Sequence, residues 1–316
     1  MKRARFLVLA CSALLAATVP VRQSRAWGPE AHRVIALFAE HVLQQSDAAA
    51  RAKLVALLAT DKSNSWTKTD VAGEAIWADV LRQKSEEARS ATMAWHYVRL
   101  KADGPDLQRD CFGRPPLPEG IPASHGPQDN CVVDKIEQFA QELKDPATSE
   151  GERLAAAKFL LNLVGDIHEP LYAIDHGDRG GRCVAVAIGG GKPVSLLSYW
   201  DDTLVTQVTG KDPARGAVQV AAGLVPTDAQ KWASGTPEAW AQESYEIAKT
   251  VAYGFGQGPA ATKYDFPALH GDKNACGPVN LYHADAGYET KALAAVKEQL
   301  AKAGMRLAMV LRDSLR

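Results

Sequence analysis

Apolar residues recur at helical intervals along most of this chain, and the stretches between are rich in Gly, Pro and Asp. Over residues 27–45, WGPEAHRVIALFAEHVLQQ, positions Val34, Ile35, Phe38 and Val42 share one face and Pro29 suits a first helical turn. The same spacing predicts helices over 49–59, within 66–82, over 132–143, 152–167, 195–208, 214–222 and 238–251, and one or two closing helices over 282–315. Residues 183–188 alternate as a short strand would, and the glycines at 189–191 predict a hairpin turn. Residues 101–130 and 254–277 lack periodicity and are expected to be loops. No repeat or low-complexity tract interrupts the pattern. The expectation is a mainly α fold with at most one small β-hairpin, built as one domain over residues 27–316.

Residues 1–26 follow a different rule. Lys2, Arg3 and Arg5 precede an apolar run from Phe6 to Val21, and Ala26 offers a small residue for cleavage before Trp27. That is the pattern of a secretory signal peptide, so the mature protein is expected to be secreted or periplasmic. A lipoprotein signal on Cys11 fits less well, because only five apolar residues lead up to it. No later segment has the long uncharged run of a membrane span.

Cleavage alters the charge. The whole chain has 36 Lys and Arg against 37 Asp and Glu; removing the five basic residues of the first 26 leaves 31 against 37, a net −6. A chain this acidic lacks the broad basic footprint of a protein that holds nucleic acid by its phosphates, so any phosphate must be drawn by a local site. Four cysteines remain, Cys111, Cys131, Cys183 and Cys276. An even count in an exported chain predicts two disulfides, with three pairings open. Cys111 and Cys131 lie near the ends of the 101–130 loop, which a disulfide is expected to restrain.

The densest candidate chemistry lies in residues 159–201, FLLNLVGDIHEPLYAIDHGDRGGRCVAVAIGGGKPVSLLSYWDD. On a helix, Asn162 and Asp166 stand one turn apart on one face, and Pro170 ends that helix near His168. A carboxylate beside an imidazole and a glycine turn suits a metal ligand; equally, it suits the ordinary end of a packed helix. If cleavage frees Trp27, its amine and carbonyl can chelate a metal with His32 one turn on. Asp79 and Arg82 are three apart, hence neighbours on one helical face. His96 sits between two aromatics in AWHYVRL.

Taken together, the leading Trp-Gly, the His five residues on, the ADVLR, WHY, GDIHEPL, GDRGG and YWD runs and the closing AGMRLAMVLRDSL resemble the S1/P1 family of single-strand-specific, trinuclear-zinc nucleases across the mature chain. Bacterial zinc phospholipase C is a more distant relation. The resemblance implies metal ligands at Trp27, His32 and Asp166 in one pocket and at Asp79 and His96 in the next, with Arg82 facing the phosphate. It implies catalytic roles for Asp79 and Arg82, and for His168 a place behind the ligands that orients its neighbours. In the implied reaction, zinc activates water for attack on phosphorus, while the third ion and the arginine stabilise developing charge.

Three expected imidazoles are replaced: Asn162 stands in the second pocket, and Tyr172 and Leu197 in the third, where Asp201 alone remains. A carboxamide is a poor substitute, a phenol ligates only when ionised, and Leu offers nothing. One or two zinc ions are therefore expected rather than three, with Tyr172 donating a hydrogen bond to Asp201 and filling the space with Leu197. The implied function is a zinc-dependent phosphodiesterase or 3′-nucleotidase acting on single-stranded DNA, RNA or nucleotides, with no protein partner. The alternatives are a catalytically silent metal-binding homologue and a phospholipase C-like phosphodiesterase.

Overall fold

The computed structural model describes residues 27–62, 64–255, 262–266 and 276–316. The signal sequence assigned to residues 1–26 and much of the 254–277 loop lie outside the described residues. Helices dominate. The first, Pro29–Ser46, packs along the last, Ala286–Ser314, and crosses Glu150–Asp166, the central helix. The central helix also lies against Val132–Lys144, and its last eleven residues, from Ala156 to Asp166, are all buried. Such burial on every side explains its lack of an amphipathic stripe.

Caps set the boundaries. Ser149 accepts from the Glu152 amide at the start of the central helix, and Asp285 accepts from Tyr288 at the start of the closing one. Trp27, Trp95, Trp200 and Trp240 are among the largest wholly buried side chains of the core.

Short strands complete the fold. β1, Leu100–Lys101, pairs in parallel with β2, Ile174–Asp175. The expected hairpin is present as β3, Ala185–Ile188, and β4, Val194–Ser195. It is widened by β5, Thr262–Tyr264, and β6, Val279–Ala284, into a sheet of order β4-β3-β6-β5 with β3 and β6 parallel. Residues 282–284, expected to begin a closing helix, belong to β6, and the helix starts only after Asp285. The 195–208 segment is helical but distorted: Tyr199–Leu204 forms a π-helical turn carrying Trp200 and Asp201. The disulfides join Cys111 to Cys131 and Cys183 to Cys276. The second ties the turn before β3 to the approach of β6, strands remote in sequence. Among the described residues no helix is long and apolar enough to cross a membrane.

Candidate metal centre

The central helix delivers Asn162 and Asp166, both fully buried, to one point. There Asp166 Oδ2 lies 2.6 Å from His96 Nδ1, and Asp166 Oδ1 lies 3.4 Å from His32 Nε2. The same His32 atom is 3.7 Å from Asp79 Oδ2. Arg82 donates to Asp79 Oδ1. The Asn162 amide donates to the Ala75 carbonyl at 2.9 Å and to Asp79 Oδ2 at 3.2 Å. His32, Asp79, Arg82, His96, Asn162 and Asp166, drawn from four helical elements, thus form one cluster.

Local sequence explains the convergence. Gly165 lets the first helix approach: a Cβ there would stand 2.8 Å from His32 Nδ1, closer than side chains pack. Asp79 sits in the first turn of helix Trp77–Lys84, where a carboxylate suits the helix dipole, and Arg82 follows three residues on. His96 ends the 3-10 turn Met93–His96. Just beyond it, the Val98 amide donates to the Tyr172 carbonyl at 3.1 Å, and β1 pairs with β2. This pairing fastens the strand after His96 to the segment after Asp166.

Charge within the cluster is balanced against burial. Burial alone would raise the Asp79 carboxyl, but Arg82, His32 and His96 outweigh it and hold it at about 2. Burial, then Arg82, push His96 below the usual imidazole range against the pull of Asp166. A neutral imidazole and an ionised carboxylate are the forms that ligate a metal.

Among the described residues the buried atoms Arg82 Nε, His96 Nε2, Asn162 Oδ1 and Asp166 Oδ1 find no hydrogen-bond partner, although buried polar atoms almost always do. Two imidazoles and two carboxylates fit a zinc ion chemically. His32 Nε2 stands between the carboxylates rather than closing a tight triangle with them, so binding requires side-chain adjustment. Among the described residues the donors that do lie within 4.8 Å of one another are those of Cys111, Cys131 and Asp134; their sulfurs form a disulfide and offer no thiolate.

Trp27 is buried, and the next amide, Gly28 N, donates to the Asp201 carbonyl at 3.3 Å. A Cβ at Gly28 would meet Asp202 Oδ1 at 2.6 Å, so glycine lets the start of the first helix sit on the π-helical turn. Whether Trp27 offers its amine depends on cleavage after residue 26, outside the described residues.

The third corner does not fit an ion. Asp201 is buried, Leu197 is wholly buried and cannot ligate, and the buried Tyr172 has its phenol pushed far above its ordinary range by burial, with Asp201 and Asp166 adding to the effect. The hydrogen bond expected from Tyr172 to Asp201 is not among those the described residues make. The Tyr172 amide is held by Glu169 Oε2 at 2.9 Å and its ring packs edge-on against Tyr97, 6.4 Å away. These contacts seat the backbone and the ring of Tyr172, and the Asp201 carboxylate helps raise its phenol.

Two neighbours escaped sequence reasoning. Glu169 is fully buried, its carboxyl pushed up to about 8 by burial, with Asp166 adding repulsion. Arg182 pulls on the Tyr172 phenol from the turn whose Gly181 carbonyl accepts from Leu197 N at 3.3 Å. Its position directly after the GDRGG run was the available signal. His168 faces away from the cluster: Nδ1 lies 2.7 Å from the Val164 carbonyl and Nε2 lies 2.9 Å from Arg306.

A sequence model of the S1/P1 Nuclease family matches residues 27–316. Endonuclease 4 of Arabidopsis thaliana is 24% identical over 313 residues, covering 94% of this chain and 92% of the relative. Nuclease S1 of Aspergillus oryzae is 24% identical, covering 93% of each chain. Nuclease P1 of Penicillium citrinum is also 24% identical, covering 83% of this chain and 94% of its own.

Proposed function

The chain belongs to the S1/P1 nuclease family, and on that premise we propose an exported, zinc-dependent phosphodiesterase that cleaves single-stranded nucleic acid, or releases phosphate from 3′-nucleotides, with one or two ions. The observation that carries this reading is the buried convergence of His32, Asp79, His96 and Asp166 beside Arg82. These four side chains, joined by the Trp27 amine after cleavage, would hold the metal. Zinc, when bound, brings the pKa of water down to about 7 and polarises a phosphoryl oxygen.

The chain's own residues do the rest. Arg82 keeps Asp79 ionised, and the guanidinium's planar fork is matched to phosphoryl oxygens. Among the described residues Arg82 Nε finds no hydrogen-bond partner. Asn162 steadies Asp79 from the other side. The excess of acidic over basic residues beyond residue 26 disfavours holding a long nucleic acid by its phosphates, so short, single-stranded or mononucleotide substrates that bring one phosphate to the metal suit this chain.

The test is zinc analysis of the processed protein, with its N-terminus sequenced, alongside cleavage of single-stranded DNA, single-stranded RNA and a 3′-nucleotide, with and without chelator. Stoichiometric zinc with chelator-sensitive cleavage is expected; a zinc-free protein would sink the reading. The closed third corner favours a second reading, a silent metal-binding homologue, which would hold zinc and cleave nothing.

A further inference from the structure

The buried side chains behind Asp166 form a clamp that none of the metal-binding or phosphate-facing roles uses. The last carbonyls of a helix have no partner within it and must find one elsewhere. Here the closing helix and helix Pro237–Ile247 supply those partners. Ser244 Oγ donates to the Ile167 carbonyl at 2.7 Å, and Gln299 Nε2 donates to the His168 carbonyl at 3.0 Å and to Ser244 Oγ at 3.0 Å. His168 Nδ1 reaches the Val164 carbonyl one turn back, at 2.7 Å, and Arg306 Nη1 lies 2.9 Å from His168 Nε2.

That pair of contacts fixes the imidazole's protons by chemistry alone. A carbonyl only accepts and a guanidinium only donates, so His168 must carry its proton on Nδ1 and present a lone pair at Nε2. Arg306 is itself fixed. Its Nη2 lies 2.9 Å and 2.8 Å from the two Glu243 oxygens, and its guanidinium stands 5.3 Å from the centre of the Trp240 ring. That ring lies 5.7 Å from His168. Arg306 and His168 are both buried, so neither bond is lent to solvent.

We propose that Arg306 is a positioning residue for the metal centre: through the Nδ1-protonated form of His168 it locks the helix end that aims the Asp166 carboxylate. The inference rests on the reading of Asp166 as a metal ligand. Partners standing behind metal ligands typically change metal affinity by about 10–100-fold when removed. Arg306→Met should therefore weaken zinc binding to the full-length processed protein by that factor. Arg306→Lys, which keeps a donor for Nε2, should hold it near the parent value. His168→Phe should lose as much as Arg306→Met, and the double variant no more than either, because both cut one path.

The probe is zinc alone, titrated into the metal-free protein against a chromophoric chelator, with circular dichroism confirming the fold and nitrogen NMR of the imidazole reporting its tautomer. Parent-like zinc affinity in folded Arg306→Met, or additive losses in the double variant, would overturn the proposal while leaving the zinc reading intact. A parent protein that binds no zinc would overturn both. If Arg306→Met does not fold, His168→Phe and Arg306→Lys decide the matter, with parent-like affinity in His168→Phe the overturning result.

Discussion

Placing imidazoles at the three positions where the family resemblance implies them provides the sharpest test of the proposed metal set. The triple variant Asn162→His/Tyr172→His/Leu197→His puts an imidazole beside Asp79 in the second pocket and two in the third, where Asp201 stands. In the metal-free state it should be costly, because Leu197 is wholly buried. Its lost burial is worth about 1.5–3 kcal/mol. An imidazole left there without a secure partner costs about 1–3 kcal/mol more. Replacing Asn162 also removes its bonds to Ala75 and Asp79.

At roughly 2–4 °C of midpoint per kcal/mol, the metal-free variant should melt on the order of 10 °C or more below the parent. Zinc should then return more stability to the variant than to the parent, since saturation at 100 times Kd contributes about 2.7 kcal/mol per added site. The assays are zinc content by mass spectrometry, thermal melting with and without zinc, and cleavage of single-stranded DNA. An added zinc and a rate gain of about 10²–10³ are expected, the scale of one electrostatic stabiliser of the transition state. A variant that gains an ion yet cleaves no faster than the parent would refute the account of the third corner.

Other perturbations have defined outcomes. Arg82→Gln should retain zinc stoichiometry while lowering the cleavage rate by about 10²–10³; an unchanged rate would remove Arg82 from the phosphate. Lys158→Met removes the buried cation that lies 2.5 Å from Asp61 and 3.3 Å from Glu74 and stacks 3.9 Å from the Trp77 ring. Breaking such a buried pair costs about 3–5 kcal/mol, so denaturant melts should show a loss of that size, and adding Glu74→Gln and Asp61→Asn should recover part of it. Lys135 is buried against Trp95, donates to the Ala123 carbonyl, and is lowered to about 8 from 10.5 chiefly by burial. Between those two pH values the unfolded chain binds the extra proton, so stability should rise with pH across that window relative to Lys135→Met. A parent-minus-variant difference that is flat from pH 8 to 10.5 would contradict it.

The sequence by itself determined the elements and the inventory. Helical periodicity in the first helix and in Val132–Lys144 follows from the local spacing of apolar and polar side chains, and the 189–191 glycines mark the hairpin because they permit a tight turn. Motif order identified the family and the candidate ligands, since residue types that can ligate zinc are few. Strand β6 was missed because a six-residue strand paired with β3 from nearly a hundred residues away has no local signature, and the π-helical turn at Asp201 is set by packing rather than by composition.

What only the tertiary structure decided is which of these residues face one another. Gly165 is an unremarkable letter until His32 is seen to pass beside it. That Glu169 caps the Tyr172 amide and Tyr97 packs edge-on against its ring is likewise visible only in the packed chain. Arg306 and Gln299, on the closing helix, gain their meaning from contact with a turn more than 130 residues earlier. Burial and partner choice are properties of the packed interior, where a side chain's chemistry depends on neighbours the linear order does not specify.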